Sequence, residues 1–137
     1  MAKRMHTRFI VGLLALAVNA AVADDFVPHV YLGRLTCEFK QVVYLRENPD
    51  QPGQYVLNFK KHVFRMRVVG TSSGAARLED EQAGAVWIQL NTKSMLMDQN
   101  RGVRLVDECQ HPDQAAMAKA MKSSPPASLL TNDETGR

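Results

Sequence analysis

The chain has few of the parts from which enzymes and nucleotide-binding proteins are built. It has no glycine-rich phosphate loop: Ser72-Ser73-Gly74 is a flexible turn, and neither a helix nor a lysine follows it as a phosphate cradle requires. No nucleophile elbow or ligand spacing surrounds His29, His62 or His111, which read as surface or turn histidines. Cysteine is scarce, with two residues in 137, and Cys109 with His111 matches no common zinc pattern. The acidic run Glu79-Asp80-Glu81 lacks the further, regularly spaced oxygens that calcium needs and reads as a solvated loop. No metal and no other cofactor is expected. The length allows one domain and not a multidomain enzyme, and no internal repeat or heptad pattern is present.

Long apolar runs are confined to the N-terminus, where Lys3, Arg4 and Arg8 precede the apolar stretch from Phe9 to Val18 and Ala21-Val22-Ala23 follows it. A positive n-region, a ten-residue apolar core and a small-x-small site are the three parts of a secretory leader, and ten residues cover only about half of a bilayer span. Residues 1–23 are therefore expected to be cleaved after Ala23, leaving Asp24 first, and no cysteine at that site is available to carry a lipid. Removal of the leader leaves fourteen basic against fourteen acidic residues. The alkaline whole-chain balance is a property of the leader and gives no warrant for a nucleic-acid or anionic-membrane partner, and no stable membrane anchor is expected. The leader's bacterial style points to the periplasm.

Cys37 and Cys109 bracket nearly all of the patterned sequence, and in an exported chain such a pair reads as one disulfide. Closing a loop of this length lowers the entropy of the unfolded chain by roughly 4 kcal/mol in the chain-entropy model. Between the cysteines the period is two, which is strand spacing. Tyr55, Leu57 and Phe59 alternate with Val56, Asn58 and Lys60, and Phe64, Met66 and Val68 alternate with Arg65 and Arg67. Further strands are expected at 39–45, 85–90, 94–98 and 103–108, with weaker signals at 30–35 and 76–79. Turn residues separate them at 48–53, 70–74, 82–84 and 99–102. An all-β meander of about eight antiparallel strands removes its edges most simply by closing into a small barrel over 24–112, a two-sheet sandwich being the alternative. The Ala-rich stretch Asp113 to Lys122 predicts a short helix, with acid at its start and lysines near its end. Residues 123–137 have little to bury and read as disordered.

Two features remain after these exclusions. Lys60, Lys61, His62, Arg65 and Arg67 form the densest positive cluster, which is either a patch for an anionic partner or the charged outer face of a strand that resists edge pairing. Trp87 is the single tryptophan, and it is either an aromatic exposed for recognition or packing under a loop.

The stretches Leu35-Thr36-Cys37, VVGTSSGAARLED and WIQLNTKSMLMDQNRGVRLVDEC, in that order behind a leader, resemble the MliC/PliC family of periplasmic inhibitors of C-type lysozyme. The likeness covers about 75 residues, and the spacing from Trp87 through Asp98 to Cys109 is its most specific part. It implies an eight-stranded antiparallel barrel closed by a Cys37–Cys109 disulfide. It also implies inhibition by a loop serine, at Ser72 or Ser73, and a lysine two positions after Trp87, both entering the lysozyme cleft. A retaining glycosidase holds two carboxyl groups about 5 Å apart, so a hydroxyl donor and an ammonium can satisfy both and exclude the sugar.

This chain departs from the family pattern at several positions. Leu35 and Leu78 replace family tyrosines, Gln89 stands at the lysine position and Leu90 at the glycine position. Arg77 or Lys93 is then the cation that would replace the lysine. The expected partner-binding set is Ser72, Ser73, Arg77, Trp87, Gln89 and Lys93, with C-type lysozyme as the partner and no catalysis. The competing reading is a non-inhibitory envelope-binding module that uses the barrel mouth or the 60–67 basic face. A hydrolase would need two or more of Glu38, Asp80, Asp98, Asp107 and Glu108 to converge in a pocket.

Overall fold

The computed structural model describes residues 28–124; the expected leader at 1–23 and the expected disorder of 125–137 lie outside the described residues. Eight strands follow one another: β1 (Gly33–Thr36), β2 (Val42–Glu47), β3 (Gln54–Phe59), β4 (His62–Val69), β5 (Ala76–Asp80), β6 (Ala85–Gln89), β7 (Ser94–Asp98) and β8 (Val103–Cys109). Each pairs antiparallel with the next in a single sheet whose spatial order is the chain order. The sheet curls until its edges meet: the Thr36 and Gln110 amides donate to each other's carbonyl oxygens at 3.0 and 2.8 Å. One residue inward on each chain, Cys37 and Cys109 are bonded. The result is a nearly closed barrel whose seam rests on two backbone hydrogen bonds, a disulfide and one side-chain contact, from the Asp107 N–H to Glu38.

Period-two alternation puts Leu35, Val43, Leu45, Leu57, Met66, Leu78, Trp87, Leu96 and Val106 inside with almost no exposed surface, while Arg34, Tyr44, Arg46, Arg65 and Arg67 stand outside. These side chains make one contiguous core with the disulfide at its edge. A barrel of eight strands is just narrow enough for side chains to fill it, and here they do.

Successive hairpins alternate between the two ends of the barrel. The turns 37–41, 60–61, 81–84 and 99–102 share one, here the turn end. The loops 48–53, 70–75 and 90–93 share the other, the loop end, where β8 also exits into helix α1 (Pro112–Ser123).

Several expected boundaries move. Phe39 and Lys40 are not in a strand; they adopt left-handed φ values of 52° and 58°. They sit at the tip of a turn closed by Cys37 N–H to Gln41 O (2.8 Å) and Gln41 N–H to Glu38 O (3.1 Å). The first strand begins only at Gly33, so 30–32 are outside it, and β6 ends before Leu90. The helix extends beyond 113–122 at both ends and takes in Ser123, which was expected in the tail. Its start is fixed by Pro112 in the first turn and by a reciprocal cap. His111 Nδ1 accepts from the Asp113 N–H (3.3 Å), and Gln114 Oε1 accepts from the His111 N–H (2.9 Å). His111 is thus a capping residue rather than a bystander on the surface.

Candidate functional site

The loop end carries most of the residues singled out by the sequence. Ala76 pairs with Gln89, so the loop entering β5 and the loop leaving β6 lie side by side. In the first, Thr71 Oγ1 donates to Ala75 O (2.7 Å), the Ala75 N–H reaches Ser73 Oγ (3.4 Å), and Gly74 takes a φ of +76°. The loop therefore closes on its own backbone, as Ser and Thr turns do, and both Ser72 and Ser73 are exposed.

The two candidate cations are already engaged. Arg77 stands on the outer face opposite Ile88, and its Nε donates to Glu79 Oε1 at 2.5 Å. Lys93 donates to Glu108 across the 90–93 loop. The hydrogen bond that it donates to that carboxylate, only partly opposed by burial, holds the Lys93 ammonium above its ordinary value.

Trp87 and Gln89 do not belong to a contact surface. Both point inward from β6, with exposures of 0 % and 2 %, and no partner can touch them without opening the barrel. Trp87 is core, and its Nε1–H has no acceptor among the described residues. Gln89 acts as a substitute for a strand neighbour: its Oε1 accepts from the Tyr31 N–H (2.8 Å) and its Nε2 donates to Tyr31 O (2.9 Å). The segment before β1 is thereby held across the end of the barrel. Tyr31 packs edge-on against His29 and stacks on His111, with ring centroids 4.7 and 5.6 Å apart.

A second buried amide holds the neighbouring loop. Gln114, fully buried in the first turn of α1, donates from Nε2 to Leu90 O (2.7 Å) and Ser94 Oγ (2.9 Å). Gln110 donates to Thr92 O (2.8 Å). Sequence reasoning missed Tyr31, Gln110 and Gln114. The one available signal was Gln114 three residues after His111, the spacing of a capping box with an unusual cap residue.

Two surface grooves flank the barrel. One, of about 440 Å³, lies beside the 48–53 loop between Arg46, Glu47, Tyr55 and Arg65. Burial raises the Tyr55 phenol, with the charge of Glu47 acting in the same direction. The other, of about 500 Å³, runs along the seam over Cys37 and is lined by Arg34, Glu38, Glu108 and His111. Glu38 and Glu108 thus meet in one groove. Glu38 Oε1 accepts from the Asp107 N–H (3.1 Å) across the seam, whereas Glu108 accepts from Lys93 on the β7 side of β8.

Asp107 is 8 % exposed. Burial pushes its carboxyl up, but the Glu108 N–H (2.7 Å) and the charges of Lys93 and Arg104 outweigh it and hold the group below its ordinary value. Asp98 instead caps a turn, accepting from the Arg101 backbone N–H (3.0 Å) and from its Nε (2.7 Å).

Charge is unevenly spread. Residues 28–69 contain seven Lys or Arg and three acids, whereas 70–124 contain six and seven. The four ion pairs of Lys or Arg with a carboxylate among the described residues all lie in the second half. Comparison with family models, curated proteins and solved structures finds no match for the chain.

Proposed function

We propose that this barrel is an exported, non-catalytic inhibitor that blocks the cleft of a C-type lysozyme with its loop end. The observation that carries the reading is the pairing of Ala76 with Gln89, which sets the exposed Ser72-Ser73 loop directly beside the 90–93 loop at one end of a filled barrel. A filled interior leaves the loops, and not a central cavity, as the surface for a partner. The resemblance in the stretch from Trp87 to Cys109 supplies the partner class, and the cysteine pair suits the periplasm.

The chemistry differs from the family's hydroxyl-plus-ammonium scheme, because Gln89 is withdrawn into the barrel and cannot neutralise a carboxylate. Ser72 and Ser73 are the donors offered to the two enzyme carboxylates. Arg77 and Lys93 contribute positive charge only by exchanging Glu79 or Glu108 for an enzyme carboxylate, at the cost of a surface ion pair worth about 0–1 kcal/mol. Hydroxyls in a desolvated cleft recognise a carboxylate by charge-assisted hydrogen bonds, and the barrel behind them excludes the sugar sterically.

The test is residual C-type lysozyme activity against increasing amounts of the processed protein and of Ser72→Ala/Ser73→Ala. Inhibition that saturates at one equivalent and weakens at least about tenfold in the double variant supports the reading, at about 1.4 kcal/mol per factor of ten. No inhibition by micromolar parent protein with its disulfide intact would refute it.

A further inference from the structure

The turn end is built from residues that neither its backbone nor the core asks for. Among the described residues four non-glycines have positive φ, and three of them, Phe39, Lys40 and Lys60, lie at this end in the turns 37–41 and 60–61. A tight hairpin turn is met without strain by Asn-Gly or Gly, and a bulky residue at positive φ is a real outlier that points to a use. Phe39 is also 85 % exposed, the most of any large apolar side chain among the described residues. It stabilises nothing inside the fold.

The two turns are neighbours, since β1 pairs with β2, Val43 with Phe59 and Phe59 with His62. Phe39 therefore shares this end with Lys40, next to it in the chain, and with Lys60 and Lys61 in the next turn along. None of these lysines has an ion-pair partner among the described residues; the Lys60 ammonium lies 5.0 Å from the Phe59 ring centroid, at the rim of the barrel. Glu38, the acid in the first turn, is half-buried and accepts from the Asp107 N–H. Exposed Glu81 in the 81–84 turn limits the basic sector to the β1–β4 side. On that side the outer face continues with Tyr44 (51 % exposed) and Val63 (62 % exposed) flanking Asn58 in one cross-strand row.

We propose that the turn end docks reversibly on an anionic lipid surface, with Phe39 entering the headgroup region and Lys40, Lys60 and Lys61 facing the phosphates. An exposed apolar side chain at a turn tip, with lysines beside it on the β1–β4 side, suits a soft planar interface, where aromatic burial and attraction to anionic lipid add. A soluble polyanion would use the lysines and leave Phe39 idle. Docking by the turn end would point the loop end, at the opposite pole, away from the bilayer. The inference does not depend on the lysozyme reading, because no residue is shared.

The experiment is flotation of the protein, exported and processed with its N-terminus verified by mass, on vesicles of phosphatidylglycerol or phosphatidylcholine. Its variants are Phe39→Gly and Lys40→Glu/Lys61→Glu. Glycine relieves the left-handed strain, so Phe39→Gly keeps or raises Tm, and lost binding cannot be put down to unfolding. The expected result is binding to phosphatidylglycerol only, weakened about tenfold by Phe39→Gly and by about fivefold per lysine removed. Lysozyme inhibition should be unchanged in both variants. No binding of the parent to phosphatidylglycerol would overturn the proposal. Equal binding by Phe39→Gly, or binding to soluble polyphosphate that depends on the lysines and not on Phe39, would overturn it too.

Discussion

Gln89 carries the sharpest consequence at the scale of single residues. Its side-chain amide makes both hydrogen bonds that a β-strand neighbour would make to Tyr31. Gln89→Ala leaves the Tyr31 N–H and C=O without partners and should cost about 2 kcal/mol in urea unfolding, with faster amide exchange at Tyr31. Gln89→Lys should cost more, because it places an unpaired ammonium inside the barrel. Trp87→Ala should cost about 3–5 kcal/mol. As the single tryptophan, Trp87 should give blue-shifted emission that iodide does not quench in the native protein.

The titrating residues set the pH limits of stability. Asp107 and Asp98 have carboxyl groups below their ordinary value, so their contribution is complete above about pH 4 and is lost as pH falls through the lowered values. Lys93 and Tyr55 are raised, so theirs is complete below about pH 10 and is lost as pH rises further. Unfolding free energy should be flat from about pH 5 to about pH 9 and fall at both extremes. Asp107→Asn should flatten the acid limb.

At the scale of elements the seam is the weakest join. The edges β1 and β8 meet through one isolated bridge beside the disulfide. Cys37→Ser/Cys109→Ser should lower stability by roughly 4 kcal/mol in the chain-entropy model. Protection of the Thr36 and Gln110 amides should be lost before that of β3 and β4. For α1, which is held by its first turn, His111→Ala should remove about 1 kcal/mol and part of the helical signal in circular dichroism.

These elements also show what could be read in advance. Strands β3 and β4 were legible because one of their faces is solvated: Tyr55, Leu57, Phe59, Phe64 and Met66 are buried while Arg65 and Arg67 are not. Strand β6 has Ala85, Val86, Trp87 and Gln89 all buried, so alternation could not decide where Trp87 faced. Phe39 reads as strand because nothing in Glu-Phe-Lys announces a left-handed turn. The buried amides Gln89 and Gln114 were illegible because their partners, Tyr31 and Leu90, are 58 and 24 residues away. The exposed serine loop was visible as a turn. What made it a candidate site was its neighbour across the Ala76–Gln89 pair.

At the scale of the molecule the barrel has two unlike ends, a loop end that presents hydroxyls and a turn end that presents Phe39 and lysines. The half from 28 to 69 is cationic, and the whole offers no long-range attraction to a cationic lysozyme. Association should therefore be unsteered, at about 10⁵–10⁶ M⁻¹s⁻¹ by stopped flow. It should not slow with added salt. The proposed seating of the loop end in the cleft of a C-type lysozyme is checked by calorimetric titration of that enzyme, free or saturated with a cleft-filling oligosaccharide. One-to-one binding to the free enzyme that disappears when the cleft is filled is the expected result. Binding of equal strength to both forms, or no binding to the free enzyme, would contradict it.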